Sequence, residues 1–195
     1  MPSQRIASLA SPLPPGVAAP MARLIPPDLP PPTLFTAFAR NEGLFAFLVE
    51  TGLIGPTGLL DRRVLPRDLR ECIVLRTCVA ASNDYEFNLH VQTISQRMGL
   101  SPAQIDDVRC PAPDAALWPP RMLAAMRLVD ALVARLAVPD DVFAQCRAHF
   151  DEATLIEMTQ LVAMYVGVAM QTVLIRPAFD TYRSATPVLA RPTAA

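Results

Sequence analysis

Two carboxylates and an imidazole, Glu71, Glu86 and His90, fall within twenty residues of one another in this chain. Glu86 and His90 are four apart, so on a helix they stack on one face and can touch. Glu71 lies in Arg70-Glu71-Cys72-Ile73-Val74-Leu75, a run too apolar to be a solvated face, where an unpaired carboxylate is costly. Such a set suits proton transfer near neutral pH. The imidazole is the group that donates or accepts the proton there. Asn83 and Tyr85 bring further polar groups to the same turn. A purely structural role competes with this reading. Asn83 followed three positions later by Glu86 has the spacing of a helix-capping pair. A Glu86–His90 pair at the surface would contribute only roughly a few tenths of a kcal/mol. The other histidine, His149, stands three residues from Cys146, but no third ligand lies nearby and no metal site is expected.

Composition narrows the chemistry further. All seventeen basic residues are Arg, which excludes Schiff-base catalysis, pyridoxal phosphate attachment and a Walker-type phosphate lysine. A net charge of −1 gives no reason to expect nucleic acid or an anionic membrane as partner. The four cysteines are scattered without a C-x-x-C pair, so no disulfide framework is indicated and a reducing, cytoplasmic setting is expected. Met158 to Ile175 is eighteen residues without a formal charge. Thr159, Gln160, Gln171 and Thr172 interrupt it, so a helix buried in a core or subunit interface is expected rather than a membrane span.

The elements that must hold these residues read as helices throughout. Apolar runs lack the period-two alternation of strands, which predicts an all-α fold. Residues 1–33 carry ten of the twenty-one prolines and are expected to be extended or disordered. Helices are predicted over Leu34–Arg40, Gly43–Glu50, Arg67–Ala81 and Asp84–Met98, the last stopped by Gly99, with a short helix opening at Ser101-Pro102. A Pro-rich connection, Cys110–Pro120, leads to helices over Arg121–Leu136, Asp141–Phe150 and Asp151–Ile175. One domain is expected over 34–182, with halves at about 34–109 and 119–182 and a flexible tail at 183–195. Leu69-Arg70-Glu71 and Leu155-Ile156-Glu157, each leading an apolar run, hint at a duplicated helical unit.

The residues also resemble the carboxymuconolactone decarboxylase and alkylhydroperoxidase D superfamily. Its signature is a Glu in an Arg-Glu-apolar run, then Cys-x-x-Cys-x-x-x-His at the start of the next helix. Arg70-Glu71 supplies the first part, and His90, nineteen residues after Glu71, the last. Met98-Gly99-Leu100-Ser101 resembles the Ala-Gly-Leu-Ser that follows the motif, and Arg23-Leu24-Ile25-Pro26-Pro27 resembles the start of longer members. The likeness covers about residues 22–182. It departs where peroxidase members place their dithiol, because Asn83 and Glu86 occupy the two cysteine positions.

The resemblance implies an all-helical unit assembling as trimers or hexamers, and a homo-oligomer is therefore expected. It also implies catalysis without metal or organic cofactor. The expected function is a lyase or isomerase acting on a small carboxylated or lactone-like substrate. His90 would be the general acid/base, Glu86 its orienting partner or a second base, Glu71 a buried relay, and Tyr85 and Asn83 ligands for substrate oxygens. Two alternatives stand beside it: a thiol peroxidase recruiting Cys72 or Cys78, disfavoured by the missing motif cysteines, and a non-catalytic binding or assembly module.

Overall fold

The computed structural model describes residues 4–55, 57–182 and 190, and the expected tail over 183–195 lies almost wholly outside them. Among the described residues the secondary structure is helical only: α1 Pro15–Leu24, α2 Thr33–Phe38, α3 Glu42–Glu50, α4 Arg67–Ala80, α5 Asp84–Thr93, α6 Pro102–Asp107, α7 Pro120–Arg135, α8 Asp140–Arg147 and α9 Glu152–Ile175.

Local chemistry sets most of the boundaries. Asn41 caps α3 by accepting the Leu44 N–H, and Asp151 caps α9 by accepting that of Thr154. A complete capping box joins Ser101 and Gln104 at α6, with Pro102 in the first turn. Trp118 is buried in the Pro-rich connection, where its indole N–H donates to Asp107 at 2.7 Å.

Helix α4 is the centre of the molecule. It packs against α7 and α9, and α5 lies across α4 and α9. Eleven consecutive residues of α4, Leu69–Val79, are buried, which is why its sequence shows no polar stripe. The main core draws on Leu69, Ile73 and Leu75 of α4, Met122 and Met126 of α7, and Met158, Leu161 and Tyr165 of α9, so both sequence halves share it. Glu157, in the stretch whose sequence echoes that of Glu71, is partly buried and pairs with Arg62 at 2.9 Å.

Two expectations need correction. The proline-rich start is not wholly extended, because Pro15–Leu24 forms α1. Pro15 occupies a first-turn position whose fixed φ suits a helix, and Val17, Pro20 and Met21 bury a face against α3. Helix α5 also ends at Thr93 instead of running to Met98. Ile94 leaves the helical region at φ −123°, and the Ser95 N–H reaches back to the His90 carbonyl. Gly99, at φ +101°, turns the chain only after that break.

Candidate active site

The turn between α4 and α5 builds the site. Ala81 and Ser82 connect the helices, with Ser82 at φ +56°, and Asn83 then caps α5. Its Oδ1 accepts the Glu86 N–H at 3.3 Å and the Thr172 hydroxyl at 3.0 Å. The Asn83 N–H is spent on the Cys78 carbonyl instead of on Glu86. The capping box is therefore only half made, and the Glu86 carboxylate is left to face His90.

His90 is held from both sides. Its Nδ1 lies 2.9 Å from Oε1 of Glu71, and its Nε2 lies 3.4 Å from Oε1 of Glu86 and 3.4 Å from the Tyr165 hydroxyl. The Tyr165 ring stands edge-on to the imidazole, with centroids 5.6 Å apart. The other Glu71 contacts come from Ser95, whose hydroxyl donates to Oε1 at 2.7 Å, and from Arg70, whose Nη1 donates to Oε2 at 3.0 Å. Arg70 also donates through Nη2 to the Tyr165 hydroxyl at 2.8 Å and to the Leu60 carbonyl at 2.9 Å. Glu71 is wholly buried, His90 is 2% exposed and Glu86 is 8% exposed, so Glu86 is the most open of the three.

Electrostatics follow from that geometry. Burial alone would raise the Glu71 carboxyl, but His90, Ser95 and Arg70 together hold it below its ordinary range. Glu71 is thus an acceptor, and the facing Nδ1 must carry a hydrogen. Burial would likewise depress His90, yet the Glu71 and Glu86 carboxylates override it and raise the imidazole to about 9. At neutral pH the ring is an imidazolium. Its Nδ1–H is gripped by Glu71, while its Nε2–H faces two longer contacts. The proton on Nε2 is the one least tightly held.

The structure therefore brings Glu71, Glu86 and His90 together. Asn83 adjoins them and keeps a buried Nδ2 that has no hydrogen-bond partner among the described residues. Tyr85 is committed elsewhere. Its hydroxyl accepts the Leu34 N–H at 3.0 Å and donates to Asp180, tying α5 to α2 and to the segment after α9. Three members of the cluster have no assigned role in the sequence reading: Arg70, Ser95 and Tyr165. A lone Tyr in the charge-free stretch of α9 and a Ser just where α5 breaks are the only signals for the last two.

Among the described residues no cysteine side chain hydrogen-bonds to the cluster, although Cys78 lies near enough to feel the Glu86 and Glu71 charges. Cys72 and Cys78 are buried in α4 and burial pushes both thiols up, strongly so for Cys78. Cys146 is buried with its Sγ 3.4 Å from the Ala124 carbonyl, and the His149 ring packs edge-on against Phe150. Among the described residues no group of three His, Cys, Asp or Glu side chains is placed to hold a metal.

Beside the cluster an apolar cleft of about 240 Å³ opens between α2, α3 and α9, with Phe38, Met164 and Val168 in its walls and Gln171 as a polar side chain. Neither His90 nor Glu86 lines it. Leu60 and Leu34 do, and their backbones bond Arg70 and Tyr85 respectively.

Residues 56–131 match the carboxymuconolactone decarboxylase family, a segment that includes Arg70, Glu71, Asn83, Glu86, His90 and Ser95 and stops short of Tyr165. No curated protein and no solved structure matches the chain.

Proposed function

Taking residues 56–131 as a segment of the carboxymuconolactone decarboxylase family, we propose that this chain is a cofactor-independent lyase or isomerase working by proton transfer on a small carboxylated or lactone-like substrate. The observation that carries the reading is a buried imidazole clamped between two carboxylates, 2.9 Å from one and 3.4 Å from the other. In a decarboxylation, the carbon–carboxylate bond breaks and its electron pair delocalises onto an adjacent carbonyl. The resulting carbanion takes the proton from His90 Nε2, so carbon dioxide leaves and a C–H bond forms. Glu71 stays ionised and stabilises the imidazolium between turnovers. Glu86, the most open of the three, returns a proton from solvent. The free Nδ2 of Asn83 supports its role as a donor to a substrate oxygen, whereas the occupied Tyr85 hydroxyl gives that residue a structural part.

A thiol peroxidase is the weaker reading, because Asn83 and Glu86 replace the dithiol and the Cys72 and Cys78 thiols are buried and pushed up. The proposal extends to assembly. Ile156, Met170, Val173 and Leu174 leave one side of α9 apolar and more than half exposed, a face suited to a second copy of the chain.

The test is decarboxylation of carboxymuconolactone by the purified protein beside His90→Asn and Glu86→Gln. Loss of about 10²-fold or more in kcat for His90→Asn, in a protein that melts like the parent, is expected. Full turnover by the doubly substituted protein would remove the assigned roles.

A further inference from the structure

The segment that leads into α4 and the start of that helix carry four arginines, Arg62, Arg63, Arg67 and Arg70, and three of them surround one concavity. Its volume is about 280 Å³, and its walls are Asp61, Arg63, Leu65, Arg67, Arg70 and Met98. The side chains of Arg63 and Arg67 are exposed and make no hydrogen bond or ion pair among the described residues, whereas Arg62 is neutralised by Glu157. Arg70 is different again: it is 6% exposed, and its two Nη groups are already engaged by Glu71, Tyr165 and Leu60. Its Nε, however, is buried and makes no hydrogen bond. Asp61 forms an ion pair with it at 3.6 Å, too long for a hydrogen bond, and that carboxylate also accepts the Arg63 backbone N–H. The concavity sits at the N-terminal end of α4, where Pro66 offers no side-chain cap.

Three guanidiniums against two carboxylates, Asp61 and the Glu71 that Arg70 already pairs with, leave one positive charge over, and with a buried N–H that makes no hydrogen bond they make a receptor for an oxyanion. We propose that this concavity binds a small ligand bearing a carboxylate or phosphate group, held by Arg63 and Arg67 and reaching the Nε of Arg70. Guanidinium forks favour planar or tetrahedral oxyanions, and Leu65 and Met98 supply apolar contact for whatever carries the group. The site does not depend on the acid–base reading. It is nonetheless one residue from it, because the same Arg70 holds Glu71.

Isothermal titration of the full chain with inorganic phosphate and, separately, with malonate tests this at fixed ionic strength set by chloride. Saturable one-to-one binding of either is expected, and which of them binds tells phosphate from carboxylate recognition. Arg63→Gln and Arg67→Gln should each weaken that binding at least tenfold while melting as the parent does. Because both side chains are exposed, either variant alone is decisive should the other fail to fold. No saturable heat with either anion would overturn the proposal, as would saturable binding that neither substitution weakens. Neither result bears on decarboxylase turnover, so the two proposals fail separately.

Discussion

At the scale of single residues, His90 ties stability to pH. Its folded value is about 9 against 6.5 for the free side chain. The stabilisation this represents is complete below pH 6.5 and is lost as pH rises through about 9. Denaturant unfolding at about pH 6 and about pH 9.5 should show the decline, and the His90 ring resonances should titrate near the upper end. Glu71→Gln removes the charge that raises the imidazole, so the same resonances should then titrate at lower pH. A stability flat across that interval, with His90 titrating where a free histidine does, would contradict the buried ion pair. Glu71, Glu86 and His90 could be found from type and spacing because they lie on adjacent helices. Arg70, Ser95 and Tyr165 could not. Tyr165 is 75 positions from His90, and only the packing of α9 on α4 and α5 brings them together. Tyr85 shows the converse: its neighbours in sequence are catalytic candidates, yet its hydroxyl partners, Leu34 and Asp180, come from distant segments.

At the scale of elements, helix existence was legible and helix ends less so. Capping residues at Asn41, Asn83, Ser101 and Asp151 mark true starts, because their side chains act on adjacent backbone. The end of α5 was not legible, since the break at Ile94 coincides with a long-range bond from the Ser95 hydroxyl to Glu71, and α1 was hidden because proline content masks a helix that starts with proline. One partly buried contact ties α4 to α7. Arg76 of α4 donates to both Asp130 carboxylate oxygens on α7, at 2.7 and 2.6 Å, and to the Val108 and Cys110 carbonyls. Asp130→Ala leaves that buried guanidinium without its counter-charge. It should cost about 1–3 kcal/mol in denaturant unfolding, with the slope of the transition unchanged. A cost near zero would mean that water replaces the carboxylate freely.

For the whole molecule, α9 decides both the core and the outer surface. It is the one described helix long and apolar enough to cross a membrane, but Leu155, Met158, Leu161, Val162 and Tyr165 are buried in the main core. On the opposite side Met170 and Val173 are more than 60% exposed. If a second copy covers that side, sedimentation or size-exclusion with scattering should find more than one chain per particle, and Met170→Glu with Val173→Glu should reduce it to one. A parent protein that is monomeric at micromolar concentration would end that idea.

Asp180 has a kinetic consequence. Its carboxylate accepts the Thr33 N–H and hydroxyl as well as the Tyr85 hydroxyl, closing a span of 147 residues onto α2. Helical domains fold quickly when their contacts are local, and a contact spanning so much chain is disfavoured until most of the structure exists. The clasp should therefore form after the rate-limiting step. Asp180→Ala is expected to speed unfolding severalfold and leave the refolding rate unchanged in a chevron measurement. This carboxylate would then act as a latch, setting how long the folded state lasts and not how fast it is reached.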